Sequence, residues 1–313
     1  MTMFSRILPL ALCLLALPGA AMAAPEHGEA RRPDGSAIRW TLDRPDGDGK
    51  VGLIVLAQGS GCLPAMQSGA MRQARAAFAN LAALTVEKYG VAQDDAPSAL
   101  DNADCPKAFR DNHTLSQRVA DYRQVVESLR GASWWNGVLV LFGGSEGGLA
   151  MAMLAAEVDA DAAILVSTGG GVPFGQMVRG SIPEEGRPSA DAAFEKARRN
   201  PESSELWAGH SLRFWADAID RRAADDMLRA DAGFLLIQGG RDVSGAPDAA
   251  RAVNDLFAGA GRCNLTYWEF PGYDHGMNDR DGNERLADVL AQAGAWLAAQ
   301  LSADREPDPC MRN

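Results

Sequence analysis

The chain has 313 residues, of which 47% are hydrophobic and 23% charged, and its formal net charge at pH 7 is −11. This acidic balance argues against nucleic acid or an anionic membrane surface as the partner. The length suits one α/β domain that is large enough for a substantial core.

Residues 1–23 have the features of a secretory signal peptide. Arg6 provides a short positive region, Ile7 to Leu17 is apolar, and Ala21-Met22-Ala23 is a small-x-small cleavage site. The apolar run is too short for a stable membrane span. Cleavage after Ala23, or one residue later, would remove Arg6 and change the net charge from −11 to −12. We therefore expect a periplasmic or secreted domain over 24–313, and the alternative is an uncleaved membrane anchor.

Four cysteines remain after removal of the signal peptide, which contains Cys13. An even number in an oxidising compartment suggests disulfides, and four cysteines allow three pairings. We expect Cys62–Cys105, because both lie in loops at the carboxyl ends of neighbouring strands. We also expect Cys263–Cys310, which would tie a Pro-rich C-terminal tail to a late strand. The alternative is four buried thiols.

The first half of the mature chain alternates strand and helix patterns. Ser36 to Leu42 alternates in polarity and is predicted to be an edge strand. Val51 to Ala57 is an apolar run typical of a buried strand, and it leads into Gln58-Gly59-Ser60-Gly61-Cys62. A helical pattern over 65–80, a strand over Leu81–Val86, an irregular loop over Asp94–Asn112 and an amphipathic helix over Leu115–Leu129 follow.

The next stretch is the one around which we expect the fold to be organised. Val138 to Phe142 predicts a strand buried on both faces, and Leu149 to Val158 predicts a helix. Gly143-x-Ser145-x-Gly147 therefore lies where a strand turns sharply into a helix, which is the context of a nucleophile elbow. Glycines are needed there because the chain passes close to the strained serine. The alternative is a Gly-rich turn whose serine caps the helix.

Two backbone N–H groups are predicted to form an oxyanion hole beside Ser145. In this topology the glycine-rich loop after an early central strand provides one of them, and we expect the N–H of Ser60, with Gly59 next. The N–H of Glu146, which follows the nucleophile, provides the other. The loop taken alone is also compatible with a tight strand-to-helix turn that has no chemistry.

The second half of the chain continues the same alternation. Strands are predicted over Asp161–Ser167, Gly233–Gln238 and Asn264–Phe270, and helices over 247–258 and Leu286–Leu301. This order predicts an α/β fold with right-handed connections and a doubly wound, mostly parallel sheet of about eight strands.

Residues 172–231 interrupt this rhythm with four prolines and a helical stretch over about Leu206–Leu228. Trp207, Phe214 and Trp215 lie among many charges there. We interpret the segment as an inserted helical cap over the site, of the kind that shapes a substrate pocket. The alternative is that these are ordinary helices packed on the sheet.

A serine nucleophile needs an imidazole to take its proton, and the imidazole needs a carboxylate to fix its tautomer. Of the four histidines, His27 lies beside the cleavage site, where we expect disorder. His113 lies at a helix start and His210 inside the insertion. His275 alone follows a buried strand within a glycine-containing loop, and it is the predicted base, although a lone histidine can also be structural.

The predicted carboxylate partner is Asp242, which follows the preceding strand in Gly-Gly-Arg-Asp. Its loop lies at the same sheet edge as Ser145 and His275, whereas the alternative is a turn or capping aspartate. Asp274 is the rival, but adjacent residues rarely pair a ring nitrogen with a carboxylate in good geometry.

The chain order Ser145, Asp242, His275 is that of the α/β-hydrolases, and the sequence resembles this superfamily over nearly the whole mature chain. The Gly-Gly-Ser-Glu-Gly-Gly elbow and the Gly-Gly-Arg-Asp and Tyr-Asp-His-Gly loops are similar to those of the dienelactone hydrolase and prolyl-oligopeptidase-like branch. The resemblance implies an α/β-hydrolase fold in which Ser145 is the nucleophile, His275 the base and Asp242 its partner. Gln58 departs from the histidine that many members have before the oxyanion glycine.

Glu146 has two interpretations. In the first, its side chain pairs with a cationic group of the substrate. In the second, which we prefer, it is an acid in the first helical turn that interacts favourably with the helix dipole.

These features predict a serine hydrolase that cleaves a small carboxylic ester through an acyl-enzyme, without a cofactor. No two-histidine ligand spacing indicates a metal. One alternative is a small peptidase or amidase of the same fold, and another is a non-catalytic binding protein that kept the fold. The acyl group, the leaving group and the oligomeric state remain open.

Overall fold

A computed structural model describes residues 24–97 and 104–302 of the chain. The predicted signal peptide over 1–23 and Cys310 of the second predicted disulfide lie outside the described residues, so both stay predictions. Within the described ranges, no helix is both apolar and long enough to cross a bilayer.

Of the ten strands in the described residues, eight form one sheet in the order β1-β2-β4-β3-β5-β6-β9-β10, and β7 and β8 form a separate hairpin. In this sheet β2 is antiparallel to both of its neighbours, and all the other neighbouring strands are parallel. The predicted mostly parallel sheet is thus confirmed. The strands are β1 (Glu26–Arg31), β2 (Ala37–Asp43), β3 (Val51–Ala57), β4 (Ala82–Val86), β5 (Trp135–Gly144), β6 (Ala162–Val166), β7 (Leu206–Trp207), β8 (His210–Ser211), β9 (Gly233–Gly239) and β10 (Leu265–Phe270).

Helices cover both faces of the sheet, so successive residues of a central strand enter different cores. Leu53 and Val55 of β3 pack on one side, and Ile54 and Leu56 pack on the other. The first core includes residues of α3, α4 and α9, and the second includes residues of α1 and α10. The helices are α1 (Gly69–Ala77), α2 (Lys107–Asn112), α3 (Leu115–Leu129), α4 (Glu146–Ala155), α5 (Phe174–Ser181), α6 (Arg187–Arg199), α7 (Leu212–Ala218), α8 (Ala223–Met227), α9 (Pro247–Gly259) and α10 (Leu286–Gln300).

Strand β1 corrects two of the expectations from the sequence. His27 is not disordered: it lies in β1, and its Nδ1 is 3.1 Å from the Thr41 hydroxyl. Strand β2 is not an edge strand, because all six residues of β1 pair with it. The segment Glu26–Arg31 is mostly polar, so it has no hydrophobic period, and its structure comes from the backbone hydrogen bonds of an edge ladder.

The predicted irregular loop over Asp94–Asn112 also needs correction, because its last part is the helix α2. Phe109 is the buried residue of this helix, and Pro106 is its N-cap. Cys105, immediately before it, forms the predicted disulfide with Cys62, and the two Cα atoms are 5.7 Å apart.

The predicted helical insertion is present as α5 to α8 with the hairpin β7–β8. An aromatic cluster holds it together: the ring centroids of Trp207 and Trp215 are 5.0 Å apart, and those of Phe194 and Trp207 are 5.3 Å apart. Helix α8 packs against α4, and α7 packs against α3. The insertion therefore packs beside these helices, where its apolar side chains are buried, and its role as a cap over the site stays a prediction.

Candidate active site

Ser145 stands at a strained turn between β5 and α4. Its backbone has φ 54° and ψ −125°, a conformation that side chains rarely adopt. A Cβ atom on Gly143 would lie 2.3 Å from the carbonyl oxygen of Gly147, and one on Gly147 would lie 2.2 Å from that of Ala57. Only glycine fits at these two positions, so the sequence pattern around Ser145 follows from the close approach of β3, β5 and α4.

His275 and Asp242 lie in the loops that follow β10 and β9. His275 Nδ1 is 2.8 Å from Asp242 Oδ2, and the Asp242 side chain is fully buried. The other carboxylate oxygen accepts the N–H groups of Ser244 and Gly245, each at 2.8 Å. Burial works against ionisation of Asp242, but the hydrogen bonds from His275 and Gly245 outweigh it and lower the pKa of the carboxyl. This carboxylate is therefore ionised and can hold a protonated imidazole.

Asp274, the rival carboxylate, is used within its own loop. Its Oδ1 accepts the backbone N–H groups of Gly276 and Asn278 at 2.9 Å, together with the Asn278 side-chain amide. These bonds shape the turn that presents His275. The geometry thus pairs the imidazole with Asp242.

Ser145 and His275 line one cavity of about 220 Å³. Most of its wall is apolar and comes from α1, the ends of β5 and β6, and the segment after β10. No Asp, Glu, Lys or Arg side chain is among the residues that line it, and none of those residues belongs to 172–231. Larger clefts of about 420 and 460 Å³ elsewhere on the described surface contain neither Ser145 nor His275. The lining residues are Gly59, Ser68, Ala70, Met71, Phe142, Gly144, Ser145, Val166, Ser167, His275, Gly276, Met277 and Leu286.

The predicted oxyanion donors lie on both sides of Ser145. Glu146 is the first residue of α4, so helix geometry leaves its N–H without an intrahelical acceptor. Gly59 lines the cavity, and a Cβ on it would lie 3.5 Å from the Ser145 Cβ. Ser60, the preferred donor, is exposed and is not among the lining residues. Both loop N–H groups therefore stay predictions.

Two residues that position the site were missed from the sequence. The Ser167 hydroxyl donates to the backbone carbonyl of His275 at 2.8 Å, and Ser167 itself has φ 53°. Gln238, fully buried in β9, donates to Asp242 Oδ2 and to the carbonyl of Gly245, each at 2.8 Å. The available signal for Gln238 was a lone polar residue at the end of an apolar strand.

Glu146 is the centre of a buried charge cluster behind the elbow, and its side chain is only 2% exposed. Its Oε1 accepts from Lys88 Nζ and from Arg118 Nη1, each at 2.9 Å, and His113 Nε2 lies 3.4 Å away. Burial opposes ionisation, but the charge of Lys88 and the bond from His113 hold the pKa of Glu146 well below its usual range. Burial lowers the pKa of His113 to about 3 and that of His210 to about 4, so both rings are neutral.

This cluster decides between the two interpretations of Glu146. The side chain is paired with protein cations and does not line the cavity, so it is not placed to bind a cationic group of a substrate. Its position in the first turn of α4 remains favourable to the helix dipole. Lys88 and Arg118, its partners, were also missed. The signal for Arg118 was a charged residue on the apolar face of α3, between Leu115 and Tyr122.

Glu87, next to Lys88, is 3% exposed, and its two carboxylate oxygens accept the N–H of Ala65 at 3.0 and 3.2 Å. Burial raises the pKa of Glu87 from 4.5 to about 7. A carboxyl whose pKa is raised by folding stabilises the fold below its unfolded pKa, and this contribution is lost as the pH rises through the folded value.

We therefore expect Glu87→Gln to gain stability relative to the parent protein as the pH rises from 4.5 to about 7. The gain approaches about 3 kcal/mol, because the unfolded Glu87 is ionised in this range and must take up a proton on folding, whereas glutamine need not. Urea unfolding of both proteins across this range measures the difference. A difference that does not change with pH would contradict the prediction.

The described ranges contain no group of three or more His, Cys, Asp or Glu side chains placed to hold a metal ion. The carboxylates nearest the cavity, Asp242 and Asp274, are occupied by hydrogen bonds to protein groups.

Comparison with known proteins identifies the fold. No protein-family model and no curated protein matches the sequence. Among solved structures, Est1E from Butyrivibrio proteoclasticus with bound ferulic acid superposes with a TM-score of 0.61 at 18% identity, covering 86% of this chain and 97% of that one. A proposed dienelactone hydrolase from Klebsiella pneumoniae gives 0.57 at 17% identity, covering 88% and 99%. Pyrococcus horikoshii acylaminoacyl peptidase gives 0.60 at 13% identity, covering 92% of this chain and 43% of that one.

All of these are hydrolases by name, and the chain shares their architecture. At such low identities the comparison establishes the fold alone, which is the α/β-hydrolase fold with its mostly parallel sheet. The resemblance to dienelactone hydrolases and prolyl-oligopeptidase-like proteins is confirmed at that level.

Proposed function

We propose that this chain, which has the α/β-hydrolase fold, is a serine hydrolase that cleaves a carboxylic ester through an acyl-enzyme. One observation carries the proposal: a strained Ser145 shares a cavity with His275, whose Nδ1 is bound to the buried Asp242. Nothing about an ordinary helix cap requires this combination, whereas acyl transfer requires each part of it.

The proposed reaction has two halves. Ser145 Oγ attacks the ester carbonyl carbon while its proton passes to His275 Nε2, and Asp242 stabilises the resulting imidazolium through Nδ1. The N–H of Glu146 and one N–H of the Gly59–Ser60 segment bind the oxyanion. The intermediate expels the alcohol, which takes the proton from His275. Water, deprotonated by His275, then attacks the acyl carbon. The bond from this carbon to Ser145 Oγ breaks, His275 returns the proton to Oγ, and the acid is released.

The cavity supports a short, uncharged acyl group as the substrate. Its volume of about 220 Å³ is below the roughly 300–1,000 Å³ of sites for drug-sized ligands. The apolar wall from Met71, Phe142, Val166, Met277 and Leu286 favours hydrocarbon, and burying an unpaired charge there would be costly.

The same wall weighs against the peptidase alternative. An aminopeptidase-type substrate has an ammonium group that needs a carboxylate partner, and no Asp or Glu is among the lining residues. The binding-protein alternative does not explain the backbone strain at Ser145 or the hydrogen bond between His275 and the buried Asp242.

We also propose that the protein acts in the periplasm or outside the cell. The signal-peptide features of residues 1–23 support this, together with the Cys62–Cys105 disulfide, because disulfides persist in oxidising compartments. Strand β1 begins at Glu26, just beyond the expected cleavage site. N-terminal sequencing of the exported protein should start at Ala24 or Pro25, and a start at Met1 would refute the proposal.

A panel of p-nitrophenyl esters with graded acyl chains, together with aminoacyl p-nitroanilides, tests the function. We expect kcat/KM to be highest for acetate or butyrate and to fall at least about tenfold for laurate or for the charged succinate monoester. Faster hydrolysis of aminoacyl anilides would favour the peptidase. Absence of hydrolysis together with absence of fluorophosphonate labelling would favour the binding protein.

A further inference from the structure

Lys88 has a fully buried side chain whose three N–H groups all have acceptors. Its Nζ lies 2.7 Å from the carbonyl oxygen of Gly59, 2.9 Å from that of Gly61 and 2.9 Å from Glu146 Oε1. An ammonium has three donors, so this side chain is saturated. Two of the three bonds go to the backbone of the loop that is predicted to supply an oxyanion donor.

These bonds fix the orientation of the loop's N–H groups. A peptide unit is planar, and in its trans form the carbonyl of one residue and the N–H of the next point in opposite directions. The Gly59 carbonyl, held by Lys88, shares its peptide unit with the N–H of Ser60. When the ammonium holds that carbonyl towards the protein interior, the Ser60 N–H is turned away from the interior.

Arg118 does the same for the preceding peptide unit. Its Nη2 donates to the carbonyl of Gln58 at 2.7 Å and to the Gln58 side-chain oxygen at 3.3 Å. The Gln58 carbonyl shares its peptide unit with the N–H of Gly59, which lines the cavity. Gln58 also donates to the carbonyl of Leu63 at 3.3 Å. Its side chain thus strengthens the loop at the position where many similar proteins have histidine.

Glu146 joins the loop to the other side of the hole. Its carboxylate is shared by Lys88 and Arg118, and its backbone N–H is the predicted second donor. The cations therefore bind the loop carbonyls and the first residue of α4 at the same time. The buried ion pairs of Lys88 and Arg118 with Glu146 therefore set the distance between the loop N–H groups and the N–H of Glu146.

We propose that Lys88 is a positioning residue for the oxyanion hole and that it acts by holding the Gly59 and Gly61 carbonyls against Glu146. This inference rests on the proposed serine-hydrolase function. The ammonium also polarises the Gly59–Ser60 peptide unit, because hydrogen bonds in series strengthen one another, so its N–H becomes a better donor to a developing negative charge. Lys88 does not touch the substrate.

The test compares Lys88→Met with Arg32→Met. Both replace a buried cation with an apolar chain, but Arg32 bonds to Asp121, Ser36 and Ala37 and not to the loop. We expect Lys88→Met to lower kcat for p-nitrophenyl acetate by roughly 10²–10³-fold with KM changed less than about threefold, as for loss of one oxyanion donor. Arg32→Met should keep kcat within about threefold of the parent value.

The inhibition constant of an alkyl trifluoromethyl ketone provides a readout that a general loss of folding stability does not change. The ketone forms an oxyanion on Ser145, so its inhibition constant should rise in Lys88→Met in parallel with the loss in kcat. If Lys88→Met does not fold, the double variant Lys88→Met/Glu146→Gln takes its place in the test. This variant removes the ammonium and the carboxylate together and keeps the backbone N–H of residue 146. The proposal is overturned if the folded variant retains kcat, loses it through KM alone, or matches Arg32→Met.

Amide hydrogen exchange of residues 58–62 separates this proposal from the function on which it rests. We expect faster exchange in this segment in Lys88→Met but not in Arg32→Met, whatever the reaction catalysed. Faster exchange in Lys88→Met, together with a parent protein that neither hydrolyses the esters and anilides nor takes the fluorophosphonate label, would refute the serine hydrolase and keep the role of Lys88 in holding the loop. Unchanged exchange would refute the positioning role even in an active enzyme.

Discussion

Replacing Ser145 with alanine is expected to lower kcat/KM for p-nitrophenyl acetate by a factor on the order of 10⁶. The physical reason is that, in the proposed reaction, Ser145 Oγ forms the covalent bond to the acyl group, and alanine has no atom that can replace it. A fluorophosphonate should label the parent protein at Ser145, identified by mass spectrometry of the peptide, and should leave Ser145→Ala unlabelled.

Ser68→Ala is the matched control, because Ser68 is another serine among the residues that line the same cavity. This variant should keep the label and most of the activity. If Ser145→Ala hydrolyses the ester at a rate within about tenfold of the parent, with a circular dichroism spectrum unchanged, Ser145 is not the nucleophile.

Replacing Asp242 with asparagine is expected to lower kcat/KM by about 10⁴-fold while the protein stays folded. Oδ1 faces the backbone N–H groups of Ser244 and Gly245, so the asparagine oxygen must occupy that place. Its amide then points at His275 Nδ1 and forces the proton of the ring onto Nε2. In that tautomer the imidazole cannot accept the proton of Ser145.

Asp274→Asn is the control for this experiment, since it changes the carboxylate adjacent to His275. An asparagine can still accept the N–H groups of Gly276 and Asn278 through its side-chain oxygen, so we expect kcat/KM within about tenfold of the parent. Steady-state kinetics of both variants decide the assignment. A larger loss in Asp274→Asn than in Asp242→Asn would transfer the role to Asp274.

The sequence predicts those parts of the molecule in which local chemistry and global structure agree. Apolar runs mark the central strands, since a strand covered by helices on both faces must be apolar along its whole length. The turn at Ser145 could also be recognised from the sequence, because Gly143 and Gly147 lie where a Cβ would collide with the backbone. His275 and Asp242 could be proposed because each follows a strand, and the carboxyl ends of parallel strands meet at one edge.

Other features depend on contacts between distant parts of the chain. Strand β1 is a mostly polar segment that forms because the edge of β2 offers backbone hydrogen bonds. Its sequence therefore has no hydrophobic pattern that predicts a strand. The insertion could be identified as helical, but its place beside α3 and α4 depends on which apolar side chains pack together across the fold. The cluster around Glu146 draws on Lys88, Arg118 and His113, which lie far apart in sequence and have no shared spacing.

The Cys62–Cys105 bond joins the end of the Gln58–Cys62 loop to the segment before α2. We therefore expect the order of this loop to depend on the oxidation state of the surroundings. A chain with both thiols reduced would lack this covalent tie, and hydrogen bonds such as those from Lys88 and Arg118 would hold its loop.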